Sequence, residues 1–363
     1  MSPAAPRGHR AIQLDRAVRA WHRTPVGIHP ADLGGTVQRT VRLVLTLATV
    51  VGLGLGAVQA QGFTPRGVDC IAPAGAGGGW DFTCRQIANL LVVTGLVPGS
   101  IQTQNLTGGG GGVAFASVVA NQRGNENLIV AASTATTSRI ASGEFAGFSA
   151  DDVRWVAALG ADYGVLAVAP DSAYQSLDDV INAWRVDPRL VSVVGGSAVG
   201  GWDHLKVLLL ADAAGIPVRP IRYTTFESGG AAVIEILAGR ADIFTGDISE
   251  VLPQVEAGNL RVLVALSEER LGGLMADVPT ARELGYDVVG PNWRGFYMPA
   301  GISDAAYDWW VEAFRSIEAS PEWEALRIQN GIEKFSRFGA EMEAFAKDQV
   351  DDIIELLKEI GAR

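Results

Sequence analysis

"IAPAGAGGGWDFTCRQIANLL" occupies positions 71–91 of a 363-residue chain. The end of an apolar strand runs into a loop of glycine and alanine. A Trp80-Asp81 pair follows, and then apolar residues at helical spacing. The start of a helix leaves N–H groups without intrahelical partners and carries the positive end of the helix dipole. A glycine loop at that point lets an anion approach the backbone closely. Three further stretches have the same form: "NLTGGGGG" from Asn105, "GGSAVGGWD" from Gly195 and "TTFESGGAA" from Thr224. Taken singly, each reads as a capped turn. Four of them together read as anion sites.

Outward from these loops the chain alternates. "GVDCIA" and "SIQTQN" read as strands, with a helix between them over Asp81 to Val93. "GGVAFASVVANQ" is a helix and "NLIVAAS" a strand. After "VRWVAALGADYGVLAVAP" the rhythm repeats through "LVSVVGG", "VRPIRY", "ADIFTGD" and "LRVLVALS", with helices between them. "NWRGFYMPA" is a returning strand, and three helical stretches follow from Asp304, the second started by Pro321. Alternation of this kind predicts an α/β fold with mainly parallel sheets covered by helices on both faces. Two such series, separated near residue 165, predict two lobes. Their expected bounds are 67–164 with 291–363 for the first and 165–290 for the second.

Composition narrows the function. Formal net charge is −11. Seven of the 29 basic residues but only two of the 40 acidic ones precede residue 61, so the remainder carries −16. That balance excludes nucleic acid as a partner. His204 is the only histidine beyond the N-terminal part, which argues against a histidine-ligated metal. Arg39 and Arg42 precede an apolar run from Leu43 to Val58, and Ala60 follows. This predicts a secretory signal over about 39–60, with cleavage after Ala60 and export to the periplasm. The residues ahead of it read as an extension without a fold. A membrane anchor is the alternative reading of the run, but it is short, glycine-rich and lacks a basic stop. In an oxidising compartment Cys70 and Cys84, 14 apart, can bridge and clamp the first loop; otherwise they are two buried thiols.

Nucleotide and catalytic patterns fail. Position 80, where a third fingerprint glycine would follow Gly75 and Gly77, is Trp80. The second loop fits a looser fingerprint at Gly109, Gly111 and Ala114, but its next strand ends without the acid that holds a ribose. "GGSAVGG" lacks the nucleophile elbow because Val199 stands where glycine is required. Ser197 with His204 leaves a secreted serine hydrolase as the enzyme alternative. No cofactor or metal is expected.

The stretches "PAGAGGGWDFTCR", "NLTGGGGGVAFASVVA", "DVRWVAALGADYGVLAV", "RYTTFESGGAAVIEILAGRADIFTGDISEVLPQ", "LRVLVALSEERL" and "VPTARELGYDVVGPNWRGFYMPAGIS" resemble the substrate-binding component of tripartite tricarboxylate transporters, the Bug-like family. The likeness runs from Gly67 to the C-terminus. The paired cysteines, "GDISE" and "RGFY" look most like its citrate-binding branch. Branches for amino acids, dicarboxylates or aromatic acids carry Tyr-Lys-Gly where this chain has Tyr223-Thr224-Thr225. The resemblance implies a two-lobed periplasmic-binding-protein fold (type II). It implies a monomer that closes on a small carboxylate and hands it to membrane permease subunits.

It also implies that the loops over Ala76–Asp81 and Ser197–Trp202 face each other across the cleft. Gly77, Gly78, Gly79, Gly200 and Gly201 are then backbone contacts, with Trp80 as a cleft wall. Ser133 and Thr134 donate hydroxyls to the ligand or cap a helix. Tyr163 closes over the ligand or packs at the hinge. Tyr223, Thr224 and Phe226 line the second lobe. Asp247 accepts a ligand hydroxyl, fixes a neighbouring donor or caps the helix at Ile248. Arg294 holds a ligand carboxylate or pairs with an internal acid such as Asp81 or Asp247.

Overall fold

The computed structural model describes residues 62–359, so the signal and the expected cleavage site lie outside the described residues. The strands are Asp69–Ala72 (β1), Gln102–Asn105 (β2), Leu128–Ala132 (β3), Val153–Val168 (β4), Ser192–Gly195 (β5), Arg222–Thr225 (β6), Ile243–Asp247 (β7), Arg261–Ala265 (β8), Pro291–Pro299 (β9) and Arg337–Phe338 (β10). The helices between them are Gly79–Val93 (α1), Gly112–Asn121 (α2), Thr134–Ala141 (α3), Leu177–Val186 (α4), Trp202–Ala213 (α5), Gly229–Leu237 (α6) and Ile248–Glu256 (α7). Asp304–Glu318 (α8), Pro321–Gln329 (α9) and Ala340–Glu359 (α10) complete the chain. None of the described helices is long and apolar enough to cross a membrane.

The sheet order is β2-β1-β3-β9-β4-β7-β5-β6, with β8 and β10 also pairing β4. The expectation of mainly parallel sheets needs correction. Parallel pairing is confined to the outer strands, β1 with β2 and β3, and β5 with β6 and β7. The middle is antiparallel, because β4 and β9 cross between the two ends rather than returning through a helix. β4 changes partners along its length. Val153–Tyr163 pairs with β9, and Gly164–Val168 with β7 and β8. Of its sixteen residues only Arg154 is not fully buried, as befits a strand covered on both faces.

Small residues let helices and loops press on this strand. A Cβ at Gly160 would stand 3.2 Å from Glu333 O and 3.3 Å from the Trp323 ring. The core lies on both sides, around Trp155, Trp184, Trp293 and Phe296, all inaccessible to solvent. Cys70 of β1 and Cys84 of α1 form a disulfide that clamps the first glycine loop at both ends. α1 begins at Gly79, two residues before its expected start, because Gly78 itself serves as the N-cap with extended backbone.

Candidate functional site

Four loops at strand ends converge on one cavity of about 190 Å³. The first loop contributes Gly78, Gly79 and Trp80, and the second Gly108 to Gly111. Gly196, Ser197, Ala198 and Gly201 come from the third, and Phe226, Ser228 and Gly229 from the fourth. The first and fourth loops also touch directly. Gly75 N–H donates to Glu227 O at 2.9 Å, and Ser228 Oγ to Ala76 O at 3.3 Å. Glycine is required by space at Gly79, where a Cβ would overlap the Arg294 guanidinium. At Gly110, φ is +60° and a Cβ would sit 2.9 Å from Ala198 Cβ.

Several N–H groups that the sequence offers to a ligand already have partners. Gly77 N–H donates to Asp81 Oδ2 at 3.1 Å, and Ser197 N–H to Asp203 Oδ2 at 2.9 Å. The two Trp-Asp pairs therefore act alike, each acid reaching back to tie its own loop. Gly200 N–H donates to His204 Nδ1 at 3.0 Å, Gly201 N–H to Ala198 O at 2.8 Å and Gly78 N–H to Gly75 O at 3.3 Å. Gly79 N–H donates to Glu250 Oε1 at 3.1 Å, and Glu250 Oε2 accepts Asp247 N–H at 3.1 Å. A carboxyl of the protein's own thus bridges two helix starts at the cavity wall. The Asp247–Glu250 pair is half of a capping box.

Beneath the loops lies a buried charge cluster. Arg294 Nη2 donates to Asp162 Oδ2 at 2.6 Å and Asp247 Oδ2 at 3.0 Å. Lys206 Nζ meets Asp247 Oδ1 at 2.7 Å, Asp203 Oδ1 at 2.9 Å and Gly246 O at 2.8 Å. Asn292 Nδ2 donates to Asp247 Oδ2 at 2.5 Å, while its Oδ1 is buried without a hydrogen-bond partner. Burial opposes the charge on Lys206 and Arg294, but the facing acids outweigh it and raise both pKa values. Burial, then Asp247 and Asp203, pushes Glu250 up to about 8, so it is mainly protonated at neutral pH. Asp247 is held below its ordinary value, because Lys206 and Arg294 overcome its burial.

The residues expected at the site divide. Gly78, Gly79, Trp80, Ser133, Ser197 and Gly201 line the cavity, as do Phe226, Asp247 and Arg294. The others stand back from it. Gly77 and Gly200 do not line it, and each has its N–H on a side chain of the following helix. Thr134 is buried and its hydroxyl donates to Pro291 O at 3.1 Å. Tyr223 stacks on His204 at 4.6 Å and donates its hydroxyl to Ser197 O at 2.6 Å, so it braces the third loop from behind. Thr224 precedes the cavity-lining Thr225 and points away, as strand alternation requires. Tyr163 lines a different hollow, with Ser267, Leu271 and Phe335. Ser133 caps α3 through Ala135 N–H at 3.1 Å and accepts Trp80 Nε1–H at 3.0 Å.

Arg294 makes the internal pair through Nη2, with Asp247 and with the unforeseen Asp162, while its Nε–H is buried without a hydrogen-bond partner. Asp81 pairs instead with Arg85 at 2.9 Å. The Ser197–His204 pair is also not assembled. Gly200 N–H occupies His204 Nδ1, and burial drops the imidazole pKa to about 4. Sequence reading missed Asp162, Lys206, Glu250, Asn292 and Arg139. A signal existed for two of them, because Asp162 and Lys206 are charges set inside apolar runs, "AALGADYGVL" and "HLKVLLL".

Arg139, on the last turn of α3, lines the same cavity. Its Nη1 donates to Val199 O at 2.6 Å, its Nη2 reaches Glu144 only at 3.4 Å, and its buried Nε has no hydrogen-bond partner. Burial pulls its pKa below the ordinary arginine value, Glu144 opposing only in part. Among the described residues no cluster of three His, Cys, Asp or Glu could hold a metal ion.

Comparison with known proteins agrees with this architecture. Solved structures similar to this chain include the periplasmic binding protein BugD, with TM-score 0.74, 20% identity and coverage of 82% of this chain and 99% of that one. Another is MatC of Rhodopseudomonas palustris with bound malate, with TM-score 0.72, 20% identity and coverage of 82% and 99%. These share the fold of periplasmic binding proteins. Protein BugT of Bordetella pertussis is 28% identical over 208 residues, 55% of this chain. The match spans 60% of that relative's own length. Residues 100–362 match the tripartite tricarboxylate transporter family receptor. The chain belongs to that receptor family.

Proposed function

We propose that this protein is an extracytoplasmic solute receptor, a binding protein rather than an enzyme. It takes up a small carboxylate between its lobes and delivers it to transporter permease subunits. The observation that carries the reading is the convergence of four glycine loops on one cavity. Glu250 adds support, because its carboxyl already bridges the Gly79 and Asp247 N–H groups. Carboxyl recognition by helix starts is thus chemistry this cleft performs on itself. MatC, which shares the fold, holds malate. The finer reading is a polycarboxylate such as citrate, bound in the periplasm after export. The lobes would be 67–164 with 291–363, and 165–290, joined through β4 and β9.

The test is thermal melting of the mature protein against citrate, tricarballylate, succinate, aspartate and terephthalate, followed by calorimetry. A ligand at 100 times its dissociation constant should stabilise by about 2.7 kcal/mol. Gly78→Val should abolish the shift, because even a Cβ there meets Ser228 Cβ at 3.1 Å and closes the approach to the loop. No shift with any acid, or wild-type affinity in a folded Gly78→Val protein, sinks the proposal.

A further inference from the structure

We infer that Arg139 forms a second anion subsite, so that the ligand must carry at least two acidic groups. The inference rests on the proposed carboxylate receptor and names the class of acid it takes.

Two cations stand in the charge cluster beneath the cavity, and the charge of each is matched by two carboxylates, although Arg294 Nε, like Arg139 Nε, is buried without a hydrogen-bond partner. Arg294 is held by Asp162 and Asp247, and Lys206 by Asp203 and Asp247. Asp247 lines the same cavity, so a second ligand carboxylate directed there would meet an ionised acid. Arg139 is the contrasting case. It is only 5% exposed, yet its nearest carboxylate is Glu144 at 3.4 Å, itself 55% exposed. A buried guanidinium has five N–H donors in a planar fork suited to a carboxylate. Here the Nε–H has no partner, which is costly unless something fills the place.

The surrounding backbone is cut to fit. A Cβ at Gly110 would come 3.1 Å from Arg139 Nε, and one at Gly200 would come 3.6 Å from Nη1. Two glycines therefore leave room beside the guanidinium. One belongs to the second loop and one to the third. Through Val199 O the same side chain ties α3 to the third loop, so an acid bound there would bridge elements from both halves of the sheet. A ligand with one carboxylate on the glycine loops and another on Arg139 would satisfy the orphan donor.

The experiment is calorimetry with citrate, succinate and butyrate on wild type, Arg139→Gln and Arg139→Lys. Citrate and succinate should each lose about 10- to 100-fold in affinity with Gln, the scale of a charged hydrogen bond. Lys should restore part of that loss. Butyrate should bind Gln and wild type alike, or be too weak to detect in wild type because it lacks the second carboxylate. Unliganded melting temperature should stay close to wild type in both variants. The inference is overturned if Gln binds citrate and succinate as wild type does. It is equally overturned if Lys recovers nothing and melting falls, which marks Arg139 as a loop tie alone. Wild type that binds none of these acids would remove the receptor reading itself, and that is read before any variant is made.

Discussion

Two buried arginines flank the cavity and live in opposite surroundings. Arg294, on β9, has two carboxylates within 3.0 Å of one nitrogen, and these hold its charge in place. Arg139, on α3, has one acid at 3.4 Å that is itself 55% exposed, and burial depresses its pKa. Both guanidiniums reach the same cavity. The difference teaches that a buried charge is not by itself a ligand group. A charge whose counter-charges are built in belongs to the scaffold, and one left short of them is available for recognition. Removing each arginine in the absence of ligand exposes the contrast. Arg294→Leu leaves Asp162 in the interior without a counter-charge and Asp247 with Lys206 alone, and should cost about 3–5 kcal/mol in chemical denaturation. A loss under about 1 kcal/mol, the value of an exposed pair, would erase the distinction.

A smaller push sharpens the same contrast without removing charge. Gly79→Ala drives a methyl into the Arg294 guanidinium, which cannot yield without leaving Asp162 or Asp247. Overpacking of this kind costs about 1–3 kcal/mol. The measurement is the denaturation midpoint, with calorimetry alongside. Unchanged stability would mean the floor is looser than its distances imply.

The cavity loops are readable in the sequence because glycine before a helix has few other uses. The loops are legible this way but not their individual residues: Gly77, Gly78, Gly79, Gly200 and Gly201 follow from the family resemblance, and of these Gly77 and Gly200 do not line the cavity. The α/β alternation is legible for the same reason, since it depends on local periodicity. The direction of the central strands is not. "VRWVAALGADYGVLAV" reads as one apolar run, and nothing local says that its two ends serve different neighbours. Side-chain partners are harder still. Arg294 is recognisable as a charge needing an acid, but the partner nearest its Nη2, Asp162, lies 132 positions away in sequence. Arg139 sits in "TTSRIASGE", where an arginine beside serines and glycine looks like an ordinary exposed helix end. It is buried where the second loop at Gly110 and the third at Val199 meet it.

Glu250 lies between the two arginines in character, and its substitution should have the smallest effect. It is an acid, yet burial first, and then Asp247 and Asp203, push its pKa up to about 8. The folded chain therefore holds this proton more tightly than the unfolded chain, whose glutamate titrates near 4.5. Such a group stabilises the fold most fully below 4.5, and the contribution is lost as pH rises through about 8. Glu250→Gln fixes the neutral form. Near pH 6 the wild-type carboxyl is already protonated, so Gln should cost only about 1 kcal/mol for the N–H acceptor it cannot replace. Between pH 6 and 9 the variant should lose stability less steeply than wild type, and the two denaturation curves should approach or cross. Parallel pH profiles would show that Glu250 is ionised at the wall. Arg294 would then answer three carboxylates, and the cavity wall beside it would be more strongly anionic than the wall at Arg139.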